Sequence, residues 1–228
     1  MRHSGEMLSD DKIQWRLHGY SGKDMVYSYV CARHQHRSRE NRKYIVNDML
    51  GRDDDIYGYS ILGNILMTKL VHDWVETFVT AHPLSKEGLV VEFGSKDING
   101  GIRDIFNCEF VGVDIEAGPG VDVVCDASKY APPRLADMVV CVGTLEHTPD
   151  SRSILHNAYS ILKDGGVLLV MAANNWLPHS AVDGKWLIGE YTEWYKNISY
   201  DELGDWLLIF NMSTIYVSGP DIYAIARK

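Results

Sequence analysis

From Leu89 onward the chain alternates short apolar, β-branched runs with stretches of helical spacing, a pattern that predicts a parallel sheet with crossover helices. The predicted strands are Leu89 to Phe93, Phe110 to Asp114, Val121 to Cys125, Met138 to Val142 and Val167 to Ala172. Each is a continuous apolar run, as a strand covered on both faces requires. Between the fourth and fifth, Ile154, Leu155, Ala158, Ile161 and Leu162 recur at helical spacing, and Asp164, Gly165 and Gly166 supply the stop. Ser199 and Glu202 have the spacing of a capping box, and the helix they open presents Leu203, Trp206, Leu207 and Phe210 on one face. The runs Ser213 to Val217 and Ile222 to Ala226, separated by Ser218-Gly219-Pro220, predict a terminal β-hairpin whose last strand enters the sheet.

Upstream, Leu62, Ile65, Leu66, Leu70, Trp74 and Phe78 trace one face of a long helix that ends near His82 and Pro83. Residues 1–55 are more polar; Tyr27, Tyr29, Val30, Ile45, Val46, Met49 and Leu50 suggest one or two helices there. The organisation expected is an N-terminal helical cap over residues 1–58 and one α/β domain over 59–228. Residues 173–200 follow the fifth strand and are too long for an ordinary connection, which marks them as a functional lid inserted in that domain.

A nucleotide-type cofactor in such a sheet binds at the carboxyl ends of the strands. Gly94 lets the backbone come close to a ligand, and the following turn (Ser95, Lys96, Asp97, Ile98, Asn99, Gly100, Gly101) is rich in residues that tolerate unusual backbone angles. Asp114 ends the second strand, where a carboxylate can accept both hydroxyls of a ribose. Asp126 ends the third, within reach of an adenine amino group. Taken singly, these are ordinary strand-end turn residues; the ordered series is what carries the signal.

That series, Val90-Val91-Glu92-Phe93-Gly94-Ser95, Gly112-Val113-Asp114-Ile115, Cys125-Asp126-Ala127 and Gly143-Thr144-Leu145-Glu146-His147, resembles the successive motifs of class I methyltransferases dependent on S-adenosylmethionine (SAM), of the small-molecule, type 11-like kind. The resemblance covers residues 89–228 and implies a Rossmann-like fold, mostly parallel with a C-terminal antiparallel hairpin. It implies SAM as cofactor and S-adenosylhomocysteine (SAH) as product. It places Glu92, Gly94, Ser95, Asn99 and Gly100 by the methionine end, Asp114 and Ile115 at the ribose, and Asp126 and Ala127 at the adenine. Val142 and Gly143 would flank the methionine moiety, with Glu146 and His147 just beyond. The family's first loop repeats glycine at alternate positions; here Lys96 and Ile98 stand in those places, and the glycines come later.

A sulfonium is already a strong methyl donor, so positioning and desolvation supply most of the acceleration. An oxygen or nitrogen acceptor must still lose a proton, and His147 is the candidate base, the alternative being a residue that caps or braces its loop. Trp176, His179, Tyr191 and Trp194 on the lid are the candidate acceptor contacts, because aromatic density suits the enclosure of an aromatic or apolar small molecule. Metal-assisted transfer through Glu146, His147 and Asp150 is the minor alternative; the reading taken is that no metal is used.

Composition narrows the partners. At 228 residues and 46% hydrophobic the chain can bury one sizeable core. Residues 1–45 carry nine Lys and Arg against five Asp and Glu, while the remainder carries 13 against 26. An acidic body repels phosphate backbones, which argues against a nucleic-acid acceptor even though Arg33 to Lys43 is basic. There is no long apolar run and no signal-peptide core behind Arg2 to Glu6, so no membrane association is expected. Cys31, Cys108, Cys125 and Cys141 form no CxxC pair, which fits a reducing cytoplasm. The competing classes are a nucleic-acid methyltransferase, a non-catalytic SAM-binding protein, and an NAD-dependent oxidoreductase or epimerase. The last lacks the tight GxGxxG and leaves Asp126 and Leu145-Glu146-His147 unexplained.

Overall fold

The computed structural model describes residues 29–32, 61–98, 100–185, 187 and 192–228. Eight strands form one sheet: β1 (Tyr29–Ala32), β2 (Leu89–Phe93), β3 (Glu109–Asp114), β4 (Val123–Val124), β5 (Ala136–Val142), β6 (Leu162–Ala173), β7 (Met212–Ser218) and β8 (Asp221–Arg227). The spatial order is β1-β7-β8-β6-β5-β2-β3-β4. Strands β2 to β6 are mutually parallel, while β8 runs antiparallel between β6 and β7. The hairpin therefore inserts its last strand into the sheet, as its pattern predicts.

Among the described residues, three α-helices cover the two faces: α1 (Ile61–Ala81), α2 (Ser151–Ile161) and α3 (Tyr200–Trp206). Because side chains alternate along a strand, Val90, Met138, Val140 and Leu169 face Val75 and Phe78 of α1. Leu89, Val91, Phe93, Val139, Cys141, Leu168 and Val170 form the opposite core with Leu155 and Ala158 of α2 and Leu203 of α3. Ser199 caps α3 in a complete capping box with Glu202.

The structure departs from the sequence pattern in four places. Tyr29 and Val30 lie in an edge strand paired with β7, not in a helix, and the remainder of the expected helical cap lies outside the described residues. The inward stripe of α1 runs through Val71, Val75 and Phe78, and Leu70 is 50% exposed. The third predicted strand shortens to Val123–Val124, because at the sheet edge it has β3 alone to pair with. The helix expected to stop at Asp164 to Gly166 already ends at Ile161, and those three residues form an irregularity within β6: Ala136 pairs with Leu162 and Met138 with Val167, and Gly165 takes φ 78° in between. At this amino end, Asp137 accepts the Leu89 amide at 2.8 Å and pairs with Lys163 at 2.8 Å, locking β5 to β2 and β6.

Leu155 is fully enclosed, so Leu155→Ala should lower stability by about 2–5 kcal/mol. Leu208→Ala, at a side chain 47% exposed, should stay within about 0.5 kcal/mol, and urea denaturation of both variants checks the contrast.

Candidate active site

Strand order reverses at β2, which has β5 on one side and β3 on the other, and a crevice opens at the carboxyl ends of such strands. The loop after β2 begins at Gly94, whose φ of 79° belongs to the left-handed region. A Cβ there would lie 1.9 Å from Thr144 Oγ1, in the loop after β5. The Thr144 hydroxyl sits 3.1 Å from the carbonyl oxygens of both Phe93 and Val142, to either of which it can donate. The two loops thus touch, and any side chain at position 94 would part them. Gly143, also at positive φ (61°), has no atom of the described residues within 4 Å of where its Cβ would be.

The acids sit around this junction in distinct environments. Asp114 accepts the Lys96 amide on Oδ2 at 3.1 Å and the Glu116 amide on Oδ1 at 3.0 Å, so both carboxylate oxygens are oriented while keeping lone pairs to offer. Ile115 beside it is 73% exposed. Asp126 turns into its own turn: Oδ1 accepts the Ser128 amide and hydroxyl, and Oδ2 pairs with Lys129 at 2.6 Å. Lys129 and Ser128 together hold its carboxyl at about 2, and Ala127 is buried behind it. Glu92 shares the α1 face with Val90 and is 6% exposed; burial raises its carboxyl to about 8 against the pull of Arg103. The Ser95 hydroxyl is buried with no partner among the described residues. Gly100 takes φ 117° and donates its amide to Asp97 Oδ1 at 2.6 Å; Asn99 lies outside the described residues.

A second group gathers past β5. A short 3-10 turn, Leu145–His147, carries Glu146 inward, where Oε1 accepts the Ala173 amide at 3.2 Å. Burial raises the Glu146 carboxyl to about 7. The His147 ring packs edge-on against His179 (centroids 5.0 Å) and Tyr195 (5.5 Å), and burial lowers its proton affinity to about 4. Trp176 lies 6.3 Å from the His179 ring and donates its indole N–H to Asp221 Oδ1 at 2.7 Å. The segment bearing these rings is closed at its neck: Ile198 donates to the Ala173 carbonyl at 2.7 Å, Asn197 bridges both backbone groups of Trp176, and the Lys196 amide meets the Glu146 carbonyl at 2.8 Å.

Of the acceptor contacts expected from sequence, His179 packs against His147 and Trp176 against His179, Trp194 is 48% exposed, and Tyr191 lies outside the described residues. Asp150 is exposed and takes no part in this group. Three members of the neighbourhood were not among the expected site residues: Thr144, Tyr195 and Asp221. Asp221 reaches this end because β8 is antiparallel, so that its first residue pairs with the last of β6, Ala173.

A protein-family model described as a methyltransferase domain matches residues 101–216. Among solved structures, the chain is similar to the 1,6-didemethyltoxoflavin-N1-methyltransferase of Burkholderia thailandensis, bound to 1,6-didemethyltoxoflavin and SAH, with a TM-score of 0.52 and 18% identity over 76% of this chain and 85% of that one. It is similar to magnesium protoporphyrin IX methyltransferase of Synechocystis PCC 6803 with bound SAH (TM-score 0.51, 13% identity, 74% and 87% covered). A DhpI–SAM–HEP complex gives a TM-score of 0.51 at 17% identity, with 77% and 90% covered. At these identities the likeness is one of fold. No curated protein matches the sequence.

Glu92 gives the site a pH signature. The unfolded chain releases this proton near 4.5, whereas the folded protein holds it to about 8. Between those values the folded state binds more protons, so the Glu92 contribution to stability falls as pH rises. The difference in melting temperature between wild type and Glu92→Gln should therefore shift against the wild type from pH 5 to pH 8, about where the two values bracket it. A pH-independent difference in scanning calorimetry would contradict the assignment.

Proposed function

Since the chain belongs to the methyltransferase-domain family, we propose that it transfers a methyl group from SAM to an oxygen or nitrogen of a small molecule. The observation that carries this reading is Asp114, held at the carboxyl end of β3 by the Lys96 and Glu116 backbone amides, one on each carboxylate oxygen, next to the strand β2 whose following loop Gly94 opens. SAM supplies an electrophilic methyl on a sulfonium, which leaves as SAH when the carbon–sulfur bond breaks with its electron pair on sulfur. The residues fit such a ligand: among the described residues the buried Ser95 hydroxyl has no hydrogen-bond partner, and nothing stands in front of Gly143. In the proposed assignment Asp114 accepts the ribose hydroxyls beside Ile115, and Asp126 and Ala127 border the adenine. Glu92, Gly94, Ser95, Asn99, Gly100, Val142 and Gly143 surround the methionine end.

The acceptor is assigned to the space between Leu145–His147 and residues 173–200, with Trp176, His179 and Tyr195 as walls and Tyr191 and Trp194 as further contacts. His147 is assigned to the acceptor's reacting end, where it meets the atom that loses a proton. Small-molecule acceptors are consistent with what the toxoflavin-precursor and protoporphyrin enzymes act on by name, and with the enclosure those rings provide. The cap proposed over residues 1–58 and the basic stretch within it lie outside the described residues. A dinucleotide enzyme is disfavoured by β8, which enters antiparallel where the dinucleotide fold continues in parallel. Among the described residues no helix is long and apolar enough to cross a membrane, and Cys108, Cys125 and Cys141 are free thiols, as the proposed cytoplasmic location would keep them.

Asp114→Ala removes a charge-assisted pair of hydrogen bonds and should weaken SAM and SAH binding about tenfold to a hundredfold by calorimetry. His147→Ala should lower kcat while leaving SAH affinity within about twofold, because its position is on the acceptor side. Methyl-labelled SAM incubated with a cell extract should label a small product that survives protease and nuclease. Label confined to nucleic acid would overturn the choice of acceptor.

A further inference from the structure

Glu146, His147 and His179 each offer one ligand atom, and the three atoms lie within 4.8 Å of one another. From this geometry we propose that they hold a divalent first-row transition-metal cation at the acceptor end of the crevice. Three ligand atoms each about 2.1 Å from an ion in tetrahedral directions stand about 3.4 Å apart, so the trio closes by at most roughly 1.4 Å on binding. A turn of the His179 ring, carried on the segment after β6, is the movement that would supply it.

A second, independent observation points to a ligand at this spot. Glu146 is 2% exposed and its Oε2 has no hydrogen-bond partner among the described residues, although Oε1 is satisfied by the Ala173 amide. His147 Nδ1 is likewise buried without a partner. A buried carboxylate oxygen left unpaired is costly, and buried charges are otherwise paired or coordinate metals. Another trio, His72, Asp73 and Glu76 on α1, lies nearer the surface and is already engaged: His72 faces Asp104 at 3.3 Å and Asp73 pairs with Lys69 at 2.7 Å. Among the described residues it has no buried polar atom left without a partner.

Two imidazoles and one carboxylate suit Zn2+, Mn2+ or Co2+, whereas Mg2+ and Ca2+ prefer oxygen alone. Three protein ligands leave open positions for water or an acceptor oxygen. An acceptor hydroxyl bound there becomes more acidic, gives its proton to water, and then uses the freed pair to form the new bond to the methyl carbon as the carbon–sulfur bond breaks. The cation would also join the turn after β5 to the segment after β6, whose neck is already tied by the Lys196 amide to the Glu146 carbonyl. In placing the cation beside the acceptor, the inference rests on the function proposed above.

The test is calorimetric titration of the full chain with Zn2+, with SAH binding measured on the same samples. The wild type should bind Zn2+ at this site, Glu146→Gln and His179→Gln should each weaken it by about tenfold or more, and Asp150→Asn should leave it unchanged. Retained SAH binding and melting temperature in the variants exclude unfolding as the cause. Should either variant fail to fold, the visible spectrum of the Co2+-loaded wild type reads the same coordination directly, nitrogen and oxygen ligation in low symmetry being the expected result. No Zn2+ binding by wild type that does bind SAH, or equal Zn2+ binding by both variants, would overturn the site alone. Loss of SAH binding by the wild type would instead strike at the methyltransferase reading.

Discussion

A sheet buried on both faces has no room for chemistry except at its ends. In this chain α1 covers one face while α2 and α3 cover the other, and the strand residues between them, Val90, Val91, Val139, Val140, Leu168 and Leu169, are fully enclosed. Polar groups therefore collect where the strands stop, and the two ends differ in kind. At the amino end Asp137 is met by Lys163 and the Leu89 amide, which outweigh the effect of its burial and keep its carboxyl below the usual range. At the carboxyl end Glu92, Glu146 and Asp221 are buried without comparable compensation, and burial raises all three. One end is fastened; the other carries unsatisfied groups, the arrangement expected of a site that meets its partners in a ligand.

The approach of the Gly94 and Thr144 loops sets the shape of that end. Because Gly94 has no Cβ, the loop after β2 lies directly against the loop after β5, and the same contact places the Leu145–His147 turn where it carries Glu146 and His147 toward the Trp176–His179–Tyr195 rings. The proposed cofactor and acceptor regions thus share one backbone junction. The antiparallel hairpin adds the remaining wall: its register brings Asp221 against Ala173, and Asp221 holds the Trp176 indole.

Much of the architecture was legible in the sequence for a physical reason. Strands covered on both faces must be continuously apolar, so the runs at Leu89, Phe110, Met138 and Val167 announced themselves, and the Ser199–Glu202 spacing marked a helix start that the structure reproduces as a full capping box. The predictions in error lay where pattern is weak: Tyr29 and Val30 are too short a run to separate strand from helix, and Leu70 falls on the border of a helical stripe that in fact centres on Val71 and Val75. In the site, residues directly following strands could be read from sequence. Asp221 could not, because its place depends on the register of an antiparallel strand, and which aromatics of the segment after β6 meet His147 depends on how that segment folds back. The pairing of Glu146 and His147 with the distant His179 is of the same kind, since no local spacing encodes it.

The claim on which the account turns is that the carboxyl edge of this sheet takes SAM or SAH. Calorimetric titration of the purified full chain with SAH and, separately, with NADH tests it most directly. The account predicts saturable binding of SAH and none of NADH. Binding of NADH with SAH ignored would contradict it.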